Sequence, residues 1–293
     1  MHLRLEDSMM ALSNTNPPVE NEGVQLSVSP SPHAPTWYRP TISPEHGVYI
    51  VLLVSFLTGA AAAQQWTLAT TLAFICAFAG FQAEHPLVLQ IKQRRTWKPR
   101  YLLWGSLYGG LSLSLAIYLY LQVPVLLWLY LGAIAALIVD AVSVFYRQQK
   151  SIGNELLTFA AVCLAAPFAA IATTKTVTLS FWGLWLLNTL FFSSAIFTVK
   201  LRKPKTQALT PGLIYHGVAT LIIFGLWYGG GLTTLAAVAF GIVLLKFGFI
   251  LWRRDWYKTT KIQNVAILET LSAVVFFLLT AISLLPNYPV AAA

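Results

Sequence analysis

Few ionisable residues lie beyond residue 40 of this sequence outside its basic stretches, and most of them stand inside or beside long apolar runs. Glu45 and His46 precede GVYIVLL, Glu84 and His85 follow a second run, Asn154 and Glu155 open a third, and His216 lies just inside a fourth. Asp140 precedes Arg147 by seven residues, Lys246 precedes Arg253 by seven, and Glu269 follows Lys261 by eight. On a helix rising about 1.5 Å per residue, each then stands roughly 10 Å inside a basic boundary. A carboxylate, an ammonium and a second carboxylate are thus expected in one layer. Charges at that depth cost about 2.5 to 3.5 kcal/mol each. Two arrangements follow: a wet polar pocket that binds a ligand, or an Asp140–Lys246 ion pair with Lys246 partly snorkelling toward the headgroups. Glu45 suits a helix N-terminus, where an acid caps orphan N–H groups and complements the dipole. His46 has no such reason to be there, and Gly47 beside it permits close backbone approach. His46, His85 and His216 are expected to flank the pocket mouth, but their spacing matches no metal-ligand motif. No metal and no cofactor are predicted.

The elements that must position these groups follow from composition. Hydrophobic residues make up 57% of the 293 and charged residues 10%, with mean hydropathy +0.67. Soluble domains carry roughly 25% charge, so the expected fold is all-α, a polytopic transmembrane bundle. Nine apolar stretches approach the roughly 20 residues that cross hydrocarbon: 47–64, 66–83, 101–121, 125–145, 155–172, 178–199, 211–228, 232–251 and 264–285. Pro124 and Gly229-Gly230-Gly231 mark two tight reversals. Residues 1–40 include SPSPHAPT, lack periodicity and predict a disordered tail without a signal-peptide core; residues 41–293 are expected to form one transmembrane domain. Cys76 and Cys163 lie within apolar runs and read as packing residues.

Charge then predicts sidedness. Fifteen of the 19 basic residues fall between the second and third stretches (Lys92 to Arg100), the fourth and fifth, the sixth and seventh, or the eighth and ninth. By the positive-inside rule these alternate connections, and the amino end with them, are cytoplasmic. The net charge of +9 therefore reports orientation, not a nucleic-acid partner. The expected location is the plasma (inner) membrane or another internal membrane. GSLYG, residues 105–109, predicts close helix packing. No Walker-type, dinucleotide-binding or H-E-x-x-H motif occurs.

SPEHGVY at 43–49, the following FLTGAAAA, and SIGNELLTFAAVCLAAP at 151–167 resemble the YwiC-like family of bacterial membrane proteins, loosely from about residue 40 to the end. Tyr49 stands where that element is expected to carry Trp. The resemblance implies a membrane protein and assigns no catalytic residue. The bundle also looks UbiA-like in helix number, cytoplasmic amino end and enlarged second and sixth connections. UbiA-type prenyltransferases hold Mg2+-diphosphate on two Asp-rich motifs, whereas here the corresponding FQAEHPLVLQIKQRR and FTVKLRKPKT contain one carboxylate, Glu84. A magnesium site needs carboxylate oxygens, so Mg-dependent prenyl transfer is disfavoured and enzymatic activity is left open. Arg94, Arg95, Lys200 and Arg202 suit an anionic headgroup without metal.

The leading expectation is a membrane protein that binds an isoprenoid or other amphipathic lipid from the cytoplasmic side, through residues drawn from Glu45, His46, Glu84, His85, Arg94, Asp140, Glu155, Lys200, Arg202, His216, Lys246 and Glu269. The alternatives are a secondary transporter coupled through Asp140, Lys246 and Glu269, or an assembly factor that binds other membrane proteins.

Overall fold

The computed structural model describes residues 39–93, 96–203, 206 and 208–286. The expected tail, apart from residues 39 and 40, and Arg94 and Arg95 lie outside them. Among the described residues there is no strand and there are twelve helices: α1 His46–Ala63, α2 Leu68–Gln93, α3 Pro99–Gln122, α4 Leu126–Phe145, α5 Ile152–Cys163, α6 Ala165–Thr174, α7 Leu179–Lys200, α8 Thr210–Tyr228, α9 Thr234–Ala239, α10 Gly241–Trp252, α11 Arg254–Thr259 and α12 Ile262–Ser283. With α5–α6 and α9–α10 each taken as one span, nine are long and apolar enough to cross a membrane. The protein is an all-α, multi-pass membrane protein.

Local chemistry sets the ends. Ser151 Oγ accepts from Asn154 N–H at the start of α5, and Thr233 Oγ1 from Ala236 N–H at the start of α9. Proline enters the first turns of α3 and α8, where no intrahelical donor is needed. Gly230 takes φ +74° in the reversal after α8, a conformation that glycine adopts without penalty.

Two features depart from the expected spans. The second helix was expected to end at residue 83, yet α2 runs through Pro86 to Gln93, so Glu84 and His85 lie within it instead of closing it. Helices in a membrane tolerate proline where neighbours re-satisfy the freed groups. The fifth span is broken at Leu164. Pro167 has no N–H to offer Cys163 C=O, Leu164 N–H bonds back only three residues to Ala161 O (3.2 Å), and the Ala160 carbonyl is taken by Trp185 Nε1 (2.9 Å). A similar tight turn at Phe240 separates α9 from α10, with Phe240 N–H bonded to Ala237 O at 3.1 Å.

The centre consists of α1, α5–α6 and α7, and the α7 span is the most enclosed, with 72% of an 18-residue stretch of it buried. Glycine sets two of the closest approaches, α1 to α6 and α7 to the turn after α8. A Cβ at Gly59 of α1 would stand 1.9 Å from Ala166 O of α6, and one at Gly183 of α7 would stand 2.2 Å from Gly231 O. Around this centre lie two apolar clusters. One joins α1, α2, α4 and α6 around Phe56, Leu126 and Phe168. The other joins α7, α8, α9, α10 and α12 around Phe191, Phe240 and Phe276. The GSLYG seam of α3 faces α2, where a Cβ on Gly105 would meet Leu87 at 3.3 Å.

Hydrogen bonds tie the connection before α3 to the segment ahead of α1 and tie the other three basic connections to one another. Arg100 binds Arg39 O and Pro40 O, Lys200 binds Lys150 O, and Arg202 binds Tyr257 O and Thr260 O. These connections define the basic end. Contacts such as Gln64 to Leu284 O mark the opposite one.

Candidate functional site

The expected polar residues separate into three groups, and the separation follows the two apolar clusters. The first group surrounds the start of α1. Ser43 N–H donates to Gln82 Oε1 (3.3 Å), Tyr49 Oη donates to Ser43 O (3.0 Å), and Gln82 Nε2 donates to Tyr49 Oη (2.7 Å). This closed ring pins SPEHGVY across α2. An indole in place of Tyr49 would donate but could not accept from Gln82. Arg100, with its two bonds to Arg39 O and Pro40 O at 2.9 and 3.0 Å, holds the approaching segment from α3.

Beside the ring lies a cleft of about 420 Å3 lined by Ile42, Ser43, His46, Tyr49, Phe78, Gln82 and Tyr108. Tyr49 meets Phe81 edge-on at 5.0 Å and Phe78 at 6.0 Å. The lining therefore combines aromatic hydrocarbon with hydroxyl, amide and imidazole groups. A larger hollow of about 510 Å3 lies against α3, but its lining of Trp97, Pro99, Leu102, Leu103 and Ser106 brings few polar groups together. Glu45 occupies the N-cap position of α1, but its side chain makes no capping bond, contrary to the expected role. Its exposed carboxylate, with Lys92 of α2, acts electrostatically on both Glu84 and His85.

The second group contains Asp140. The expected Asp140–Lys246 pair does not form. Asp140 Oδ1 instead accepts from Asn154 Nδ2 at 2.7 Å, and its charge is felt by Glu84. Asp140 thus belongs with α2 and α5, away from the lysine. Nearby, Glu155 of α5 and Lys200 of α7 form an ion pair, and Lys200 also binds Lys150 O. Lys200 and Arg202, expected to hold an anionic headgroup, have donors engaged by protein groups, and Arg94 lies outside the described residues.

The third group is deepest. Lys246 of α10 has 2% of its side chain exposed, so it does not snorkel. Its ammonium donates to Glu269 Oε2 of α12 (2.7 Å) and to Ser194 Oγ of α7 (3.3 Å), and lies 5.5 Å from the Phe191 ring centroid. His216 of α8 is buried and stacks on Phe247 at 3.8 Å with 9° between the rings. It does not join His46 and His85, so the expected trio of imidazoles at one mouth is absent. Toward the basic end, Arg202 lies 5.5 Å over the Tyr257 ring. Burial pushes the Tyr257 hydroxyl up to about 12, with Thr198 and the Arg202 guanidinium opposing the rise and Glu269 adding to it. That phenol remains a proton donor at neutral pH.

Tyr49, Gln82, Phe78 and Tyr108 were not among the expected site residues. Gln82, a polar side chain in the apolar run of α2, was their one sequence signal. Among the described residues no three His, Cys, Asp or Glu side chains gather as metal ligands.

Comparison with known proteins bears on the first two groups. Residues 42–170 match the family described as YwiC-like protein, from the SPEHGVY element into α6. No curated protein and no solved structure matches the chain. The UbiA-type likeness finds no support among these comparisons. The matched segment carries the cleft and Asp140 and ends before Lys246. The chain is a multi-pass membrane protein whose residues 42–170 match the family described as YwiC-like protein.

Proposed function

We propose that the protein binds an amphipathic lipid in the cleft between α1, α2 and α3, from the cytoplasmic side if the basic end faces the cytoplasm. The supporting observation is the cleft itself, with Phe78 and Tyr108 as aromatic hydrocarbon and Ser43, His46, Gln82 and Tyr49 as polar groups in one lining. Pockets of this kind place a few convergent polar groups in an apolar lining. The nearest charges on α1 and α2 are of both signs, and Lys200 and Arg202 are engaged elsewhere. A head bearing hydroxyl or carbonyl oxygen, as in an isoprenoid alcohol or quinone, suits these polar groups better than a diphosphate. A transport reading through Asp140, Lys246 and Glu269 loses its first member, because Asp140 is bonded to Asn154.

Mass spectrometry of lipids extracted from the purified protein tests the proposal. One enriched lipid class with an uncharged oxygen-bearing head is expected, and Phe78→Ala with Tyr108→Ala should lower its retention about thirtyfold, each ring contributing about a kcal/mol. Only bulk phospholipid, unchanged in the variant, would remove the basis for lipid recognition here.

A further inference from the structure

The buried group around Lys246 lies outside the cleft and outside the YwiC-like segment, and its chemistry is different. Its charges are balanced as a pair: Lys246 donates to Glu269 and Ser194, and its remaining side faces the Phe191 ring. Two acceptors next to that pair are left over. Glu269 Oε1 is buried and has no hydrogen-bond partner among the described residues, and neither has His216 Nε2. The tautomer of His216 follows from its other nitrogen. Nδ1 is 2.6 Å from Gly212 O, and a carbonyl oxygen only accepts, so Nδ1 carries the hydrogen of the neutral ring. Nε2 therefore presents a lone pair to a site with no donor. A buried acceptor left without a donor is uncommon and calls for a reason.

We propose that His216, Lys246 and Glu269 form an intramembrane proton-exchange site, in which Nε2 of His216 takes up and returns a proton beside the Lys246–Glu269 pair. The stack of His216 on Phe247, the residue after Lys246, fixes the imidazole to the same turn of α10 as the lysine. The Lys246 ammonium acts electrostatically on the imidazole. With neutral histidine the group has no net charge, and a proton on Nε2 makes it +1 next to an ammonium. Protonation therefore strains the packing of α8 against α10 unless Glu269 or a movement of Lys246 compensates. The other titratable or charged groups near the imidazole are Tyr215 beside it on α8, and, beyond Glu269 toward the basic end, Tyr257 of α11 and Arg202. From α7 come Ser194, Phe191 and Phe197, none of which titrates. Glu269 and Arg202 both act electrostatically on Tyr257, which lies on the basic side of the site.

The test is nuclear magnetic resonance on the full-length protein carrying isotope-labelled histidine, with the His216 signal assigned by its loss in His216→Gln. Nε2 is expected to change from lone-pair-bearing to proton-bearing as the pH falls across roughly 8 to 5, the range in which imidazole commonly titrates. In Lys246→Met/Glu269→Gln, which removes both charges and leaves neither unpaired, the midpoint is expected to move by about one pH unit. A signal that keeps its lone pair through the whole range overturns proton exchange. A wild-type titration superimposable on that of the double variant overturns the joint site. Neither outcome depends on lipid in the α1–α2–α3 cleft.

Discussion

Lys246 retains an ammonium in an apolar bundle because Glu269 and Ser194 solvate it in place of water and the Phe191 face closes the remaining side. Breaking a buried pair by removing one partner costs about 3 to 5 kcal/mol, whereas removing both is often close to neutral. Lys246→Met alone, which leaves a carboxylate in hydrocarbon, is expected to lower stability by about 3 kcal/mol. Lys246→Met/Glu269→Gln should recover most of that loss. Thermal unfolding in detergent, read as a double-mutant cycle, checks both, and additive losses would show that the two charges are independent. Tyr49 gives a smaller, separate effect. Tyr49→Phe removes one hydrogen bond to Ser43 O and one from Gln82, at about 1 kcal/mol each. It should also free the segment ahead of α1, measurable as faster amide hydrogen exchange at residues 41–46.

At the scale of elements, two glycine contacts set close approaches, Gly59 of α1 against α6 and Gly183 of α7 against the turn after α8. Gly59→Ala would drive a methyl into the Ala166 carbonyl and Gly183→Ala into that of Gly231, and in both cases the obstacle is backbone that cannot rotate aside. Each is expected to destabilise by about 2 kcal/mol or more, as overpacking commonly does. Gly110→Ala, with nothing within 4 Å of the added carbon, is the matched control and should be neutral or slightly stabilising. Melting temperatures of the three variants in one detergent decide the matter. The spans themselves were legible from hydropathy, because lipid demands long apolar helices whatever their neighbours. Their interruptions were less so. The second stretch was expected to end at residue 83, yet α2 carries Pro86 through its interior, while Pro167 breaks its span from three residues downstream, at Leu164. Proline removes one donor in both; in the fifth span the Ala160 carbonyl is in addition taken by Trp185 on α7, a partner that lies outside the span and could not be read from it.

For the whole molecule, depth could be counted along each helix but the order of helices around the bundle could not. Asp140 and Lys246 stand at equal distance from their basic boundaries, which suggested a pair, yet α4 packs with α5 and α2 while α10 packs with α12 and α7. What does carry over from sequence to structure is the gathering of basic connections at one end, and that leads to a test of sidedness. Cys76 and Cys163 are buried, so they should not react with an impermeant maleimide in intact cells or sealed vesicles. Single cysteines placed at Lys98, Lys150 and Lys258 should all be labelled from the same side, because they lie in alternate connections of the nine spans and the bonds of Lys200 and Arg202 tie the last three basic connections together. A cysteine at Thr176, in the turn between α6 and α7, should be labelled only from the other side. By the positive-inside rule the first three should react in inverted vesicles and not in intact cells. The reverse pattern would retain the fold but place the cleft at the outer leaflet, so that its lipid would have to enter from outside. Labelling divided among the three lysine positions would contradict the bundle itself, since no rigid arrangement of these helices could place their connections on opposite faces.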